Sequence, residues 1–363
     1  MELVGGENMN TSWLLENADI PIRYILDKEK RDIEELFLND EVSSWISRIA
    51  ERSEANNIGD IHGSHDYRME NILGKCWILG LSKQSDRFAE HITFILKYIE
   101  RQIQSAPVNE SGFGRLYHYR DCQKVLCSFL PLLGFCDEHA VKYITNQRIN
   151  ILYEFTRQMR YAIYIDGSIL KSVKKDWQPY IINPDLYADG NISLPDMHDL
   201  LLFAGMYPYL PEEDRNKVET IVQWFFGNGY SSIIRRYGYF YAPGGSYSTK
   251  AIIFKLHLLD FQNGRDDKFE KGALVSLLFN VFVLSHFKSA RESLWFTLAL
   301  DYLEQYKCSS GHYRFPSYMI TEKRDSYVIM GGHMNVEENR KKKLYNEIIS
   351  TYWMERIYQN INI

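Results

Sequence analysis

The 363-residue sequence contains no CxxC pair, and its cysteines are the odd set Cys76, Cys122, Cys127, Cys136 and Cys308. Neither a disulfide framework nor a zinc ribbon fits that spacing, which points instead to buried thiols in a reducing compartment. Positive charge is also short: the formal net charge is −5. That balance argues against a nucleic-acid partner, which would need a basic face to displace counterions from phosphates. The clusters RNKVE, IIRRYG and NRKKKLY are brief and read as solvated helix ends. Long apolar runs are missing as well. The most apolar one, GALVSLLFNVFVLSHF (Gly272–Phe287), is too short and too broken by Asn280 and Ser285 to span a membrane, and it reads as a buried helix. The first residues, MELVGGENMNTSWLLENADIP, show no basic region followed by an apolar core, so a cytoplasmic location is expected.

Aromatic residues are plentiful: 26 Tyr, 19 Phe and 7 Trp. Tyrosine joins an apolar ring to a polar tip and suits the wall of a half-wet cavity, although a codon bias towards Tyr, Ile, Lys and Asn accounts for the count equally well. Strand signals are sparse. Apolar residues recur at three- and four-residue steps and predict helices over roughly 30–52, 66–82, 86–104, 119–134, 137–161, 195–209, 212–227, 247–261, 268–286, 289–306 and 340–360. Two kinds alternate. ILGKCWILGL, KVLCSFLPLLGF, DLLLFAGMYPYL and KAIIFKLHLLDF are apolar nearly all round and must be surrounded, whereas RFAEHITFILKYIERQ, HAVKYITNQRINILYEFTRQ and DRNKVETIVQWFFGNG carry one polar stripe. KVLCSFLPLLGF (Lys124–Phe135) and KAIIFKLHLLDF (Lys250–Phe261) align without a gap on Lys, Leu and Phe, as equivalent inner helices would. Inner and outer helices alternating about every 50–80 residues imply a stacked array, and the variable period favours a closed ring over an open solenoid. The expectation is an all-α fold: a single (α/α) toroid over residues 1–363, in which 1–60 form a helical leader and 61–363 the repeated helix pairs.

Several segments resemble a known family. YLEQYKCSSGHYRFP (Tyr302–Pro316), YIERQ followed by SGFG, and EFTRQ followed by IDGS are similar to a degraded Gln-Trp repeat of squalene cyclases and their prenyltransferase relatives. WFTLALDYLEQY resembles the helix pairs of those toroids, EIISTYWMERIYQ their closing helix, and TSWLLENADIPIRYIL (Thr11–Leu26) the leader of small bacterial prenyltransferase-like toroids. The resemblance implies the toroid and a small molecule bound in a central, aromatic-lined cavity. It does not carry over an activity, because the DxDD acid motif of the cyclases is absent and the Asp-Cys-His zinc set of the protein prenyltransferases has no assignable counterpart. DDKFE (Asp266–Glu270) resembles the magnesium motif of ionising terpene synthases, and NDEVS (Asn39–Ser43) partly echoes their second motif. Acidic residues at a helix start are, however, expected from the helix dipole alone.

Polar residues gather where the inner helices begin: His62, His65, Asp66 and Arg68; Tyr117, His118, Arg120 and Asp121; His198 and Asp199; Tyr247 and Lys250. Parallel inner helices would bring these turns to one rim, where unpaired N–H groups favour anions. Asp66, Asp121 and Asp199 are the candidate acids or bases; His62, His65, Arg68, Tyr117, His118, Arg120, His198, Tyr247 and Lys250 are the candidate ligand contacts. Ordinary helix capping explains each residue singly. His62 and His65 have HxxH spacing, with His118 or His198 available to complete a set, but no second tight motif follows, and neither a metal nor a cofactor is assigned. Cys122, beside Asp121 and near His118, reads as packing within a helix. Gly331-Gly332-His333, with Asn335, Glu338 and Arg340, forms either a lid contributing His333 to the ligand or a plain helix-entry loop. Three functions stay open: an enzyme for a small or isoprenoid-like substrate, a carbohydrate hydrolase or lyase on an (α/α) barrel, and a non-catalytic binding protein.

Overall fold

The computed structural model describes residues 9–105, 113–171, 173–187, 190–234, 236–241, 248–250, 253–261, 267–320 and 322–362. Helix accounts for 57% and strand for 4%, an all-α protein. The helices are α1 (Met9–Asn17), α2 (Ile20–Leu26), α3 (Asp40–Glu54), α4 (Met69–Ile78), α5 (Asp86–Gln104), α6 (Phe113–Cys127), α7 (His139–Thr156), α8 (Met197–Met206), α9 (Glu212–Trp224), α10 (Asp267–Leu284), α11 (Lys288–Arg291), α12 (Leu294–Glu304) and α13 (Tyr345–Ile361). Among the described residues, no helix is long and apolar enough to cross a membrane.

The two helix types expected from the sequence pack as their surfaces dictate. In α5, Ser85 accepts from Phe88 N at the cap, and Phe88, Ile92, Ile95 and Ile99 form one buried stripe while polar residues cover the other face. Each such fully buried side chain stabilises the fold by about 1.5–3 kcal/mol. By contrast, α4 and α8 are buried on almost every side, including the polar Glu70, Asn71 and Lys75 of α4 and His198 and Asp199 of α8. Helix α4 packs on α6, α6 on α8 and α8 on α10, and Trp77 of α4 stacks on Phe282 of α10 at 5.7 Å between ring centroids. The one-sided helices pack in parallel order, α5 on α7, α7 on α9 and α9 on α11. Helix α4 stops at a Schellman turn: Gly80 takes φ +89°, which a β-carbon disfavours, and Leu81 N reaches back to Cys76 O at 3.0 Å. Gly205 lets α8 approach the 128–134 turn, since a β-carbon there would lie 2.7 Å from Leu132 N.

Sequence and structure differ in the repeated stretches. KVLCSFLPLLGF is helical only to Cys127 and continues as turns through Gly134, because Pro131 offers no N–H to extend a helix. KAIIFKLHLLDF is not helical in its described part. Ser248–Lys250 form a strand, and 253–260 run without regular structure. The apolar character there reflects burial of Ile253, Phe254 and Leu256 in an irregular segment whose carbonyls are taken by other elements. Phe254 O accepts from Met197 N (3.0 Å), Leu256 O from Tyr230 Oη (2.6 Å), His257 O from Asn280 Nδ2 (3.0 Å) and Leu259 O from Trp295 Nε1 (2.9 Å). Backbone groups satisfied this way need no helical ladder. Leu130 and Leu256 are both fully buried, and Leu132 and Leu258 partly so, but the two stretches are not equivalent helices.

A small sheet also forms where helix and loop were expected. Strands β1 (Tyr164–Ile165), β2 (Ile181–Ile182), β3 (Tyr239–Tyr241) and β4 (Ser248–Lys250) lie in chain order, β2 and β3 parallel and the outer pairs antiparallel, with Ile181 opposite Tyr239 and Phe240 opposite Thr249.

Candidate functional site

The site forms where the loop before α4 meets the start of α8. The loop folds back onto α4: Glu70 N donates to Ile61 O at 3.0 Å, and Asn71 Nδ2 donates to Gly63 O and His65 O at 3.0 and 2.9 Å. This places His62 over the first turn of α4, with its Nδ1 2.5 Å from Glu70 Oε2. The other carboxylate oxygen, Oε1, lies 3.1 Å from His198 Nε2. One fully buried carboxylate thus lies between two imidazoles from distant parts of the chain. Phe254 packs edge-on against both rings, at 5.2 Å from His62 and 6.1 Å from His198, and Tyr327 covers His62 and Phe254 at 5.3 and 4.7 Å.

Electrostatics hold Glu70 ionised. Burial by itself would push its carboxyl up, but the facing His62 and His198 outweigh that and bring it down to about 2. His62 shows the reciprocal effect: burial disfavours the imidazolium, and the adjacent Glu70 overrides it and moves the group upward. The Nε2 of His62 is itself buried with no hydrogen-bond partner among the described residues. A buried polar atom left unsatisfied costs about 1–3 kcal/mol, so its presence beside an ionised carboxylate marks this spot as unusual.

His198 is held by a rigid frame. Asp196 caps α8, accepting from His198 N (3.0 Å) and Asp199 N (3.2 Å), while Asp199 Oδ2 accepts from Asp196 N (3.1 Å) in a closed capping box. Lys124 of α6 donates to Asp196 Oδ2 at 2.6 Å and lies 3.1 Å from Asp121 Oδ1. Arg148 of α7 grips both oxygens of Asp199, at 2.7 and 2.9 Å, and donates to Ile192 O at 2.7 Å. A cleft of about 20 Å³ beside this frame is lined by Arg120, Asp121, Lys124, Gln147, Arg148 and Asn191, room for a single water.

The structure sorts the sequence candidates. It brings His62, His198, Asp121 and Asp199 into one connected cluster, with Arg120 at its edge. Asp121 and Asp199 are committed to Lys124 and Arg148, so both serve as charge partners within the frame. His65 leaves the centre to pair with Asp325 at 2.6 Å on the surface; Asp66 pairs with Arg48 and Arg324; Arg68 pairs with Asp60. The HxxH spacing therefore does not converge. Arg120 and Asp121 lie inside α6, not at its first turn. The side chains of Tyr117, His118, Lys250 and Asp267, and the whole of Tyr247 and Asp266, lie outside the described residues.

His333 belongs to a second polar cluster. Its Nδ1 meets Glu322 Oε1 at 2.8 Å and its Nε2 meets Ser326 O at 3.0 Å. The fully buried Lys75 sits 2.9 Å from Glu322 Oε2 and 3.1 Å from Glu41 Oε1, and donates to Asn335 O at 2.6 Å. Glu70, Lys75, Lys124 and Arg148 were not singled out from sequence. One signal was available: each is a charged residue on the apolar face of a helix, and such a residue requires a buried partner.

Comparison with protein-family models, with curated proteins and with solved structures returned no match.

Proposed function

We propose that this chain is a helical toroid that binds a small polar molecule at the His62–Glu70–His198 centre, beneath the rings of Phe254 and Tyr327. The observation that carries this reading is the unpartnered Nε2 of His62 next to a fully buried, ionised Glu70. A ligand able to exchange a hydrogen bond with that nitrogen satisfies it, and the surrounding rings exclude bulk water. The succession of packing from α4 through α6 and α8 to α10, returning to α4 through Trp77 and Phe282, supports ring closure. The squalene-cyclase-like and prenyltransferase-like segments agree with that architecture. Five free thiols suit the cytoplasm. The sugar-hydrolase alternative is less well supported: that chemistry needs two available carboxyl groups, and Asp121, Asp196 and Asp199 are tied to Lys124 and Arg148.

Native mass spectrometry of protein purified in a chelating buffer tests the proposal. A retained small molecule is expected in the wild type, lost in His62→Ala and kept in Asp325→Ala, which alters only the surface pair with His65. Equal retention by folded His62→Ala, or none by the wild type after incubation with a cell-extract metabolite fraction, would overturn it.

A further inference from the structure

We propose that His62, Glu70 and His198 bind one divalent first-row transition-metal ion. This deepens the reading of the same centre as a ligand site and rests on it. Two imidazoles and one carboxylate suit zinc, iron(II) or cobalt(II) better than magnesium or calcium, which prefer oxygen. One donor atom from each residue lies within 4.8 Å of the others. A tetrahedral ion with bonds of about 2.0–2.1 Å requires donor separations of roughly 3.3 Å. The observed contacts to Glu70 bracket that separation: His62 Nδ1 lies 2.5 Å from Oε2 and His198 Nε2 lies 3.1 Å from Oε1.

The charge balance at this centre differs from that of the second polar cluster. There, a His–Glu pair similar in type, His333 and Glu322, is neutralised by the ammonium of Lys75. Glu70 has no such partner: among the described residues its ion pairs are with His62 and His198 only. Lys124, the ammonium of the adjoining frame, is taken by Asp196 and Asp121. A buried carboxylate whose ion-pair partners among the described residues are two imidazoles leaves its charge to be balanced by a cation held between them. The backbone around His198 is fixed by the Asp196 cap, which accepts from His198 N at 3.0 Å. Three protein donors leave a position for an outside ligand, as in catalytic sites. The His62 side chain is 15% exposed whereas Glu70 and His198 are buried, so exchange takes place at the His62 edge.

The full-length protein, stripped with chelator and desalted, is titrated with Co²⁺ and separately with Zn²⁺. One equivalent is expected to bind and to survive a second desalting step, with a visible Co²⁺ ligand-field band. Glu70→Gln and His62→Gln should each weaken uptake about tenfold or more. His65→Gln, which breaks the HxxH spacing but leaves the trio intact, should bind like the wild type. No retained equivalent in folded wild type overturns the proposal, as does unchanged uptake in both trio variants, or loss of uptake in His65→Gln. If the trio variants fail to fold, the wild type decides alone: two hyperfine-shifted imidazole N–H resonances in the Co²⁺ form support the site, and none overturns it. Because the small-molecule experiment is run in chelator, a ligand retained through His62 without metal uptake would sink the metal site and leave the ligand site standing.

Discussion

Arg148 and Asp199, 51 residues apart in sequence, are joined by two parallel hydrogen bonds of 2.7 and 2.9 Å, with both side chains shielded from solvent. The pair ties α7 to the capped first turn of α8, the turn that presents His198. Breaking a buried, bidentate pair strands the surviving charge, so Asp199→Asn should cost about 3–5 kcal/mol in urea unfolding. The double variant Asp199→Asn, Arg148→Met should cost less than Arg148→Met and Asp199→Asn combined. The exposed pair Arg157–Glu154 is the control, and Glu154→Gln should change stability by less than about 1 kcal/mol. A loss below that level for Asp199→Asn, together with loss of any activity, would return Asp199 to the list of reacting groups.

The irregular segment 253–260 replaces a helix by using its carbonyls elsewhere, and that makes it sensitive to its donors. Leu256→Ala should cost about 2–5 kcal/mol, since the side chain is fully buried. Tyr230→Phe removes the hydroxyl that donates to Leu256 O and should cost about 1–3 kcal/mol by leaving that carbonyl unsatisfied. Chemical denaturation of both variants checks the pair. An effect of Leu256→Ala below about half a kcal/mol would place the side chain at the surface.

Thiol reactivity gives an independent test of burial. Cys76, Cys122, Cys127 and Cys136 are buried and Cys308 is partly exposed. Burial, with Asp121 nearby, pushes the Cys122 thiol up to about 12, and burial raises Cys76 and Cys127 further. Since the thiolate is the reactive form, a thiol reagent at pH 8 should label Cys308 quickly and the other four only on the timescale of unfolding. Five labelled cysteines are expected in urea. Rapid labelling of Cys122 in the folded protein would contradict its burial.

Residue spacing made the helical class legible, and for physical reasons. The stripe Phe88, Ile92, Ile95 and Ile99 has the period of a helix lying on a core, and α8 is apolar all round because it is surrounded. Spacing failed at 247–261, where apolar residues are also consistent with a buried irregular chain; what excludes a helix there is the set of donors Met197 N, Tyr230, Asn280 and Trp295, none of them local. The site was half legible. His62 and His198 stood out as polar residues at helix starts, whereas nothing in the spacing marked Glu70. Only the fold shows that its face of α4 is buried against α8. His65 was as conspicuous as His62 in sequence, but its side chain turns to the surface, against Asp325.

Glu337 adds a pH dependence of its own, away from the centre. Its side chain is buried, its Oε1 accepts from Asp19 N at 2.6 Å and its Oε2 lies 3.0 Å from Lys342 Nζ. Burial, with the Asp19 carboxylate adding to it, lifts the carboxyl to about 7, although the Asp19 N–H and Lys342 oppose the shift. The folded protein therefore holds a proton on Glu337 at pH values where the unfolded chain, with an ordinary carboxyl near 4.5, has lost it. The contribution is fully present below the unfolded value and is lost as pH rises through about 7. Between pH 5 and 7 the group should lower unfolding free energy by up to about 1.4 kcal/mol per pH unit. Glu337→Gln, which stays neutral, should flatten that part of the stability curve, while His62 and the other titrating groups still contribute equally to both proteins. Urea unfolding of the two proteins at pH 5, 6, 7 and 8 measures the difference. Parallel curves would mean that Lys342 keeps Glu337 ionised in the folded state, and a wild type that gains stability relative to Glu337→Gln as pH rises would reverse the sign.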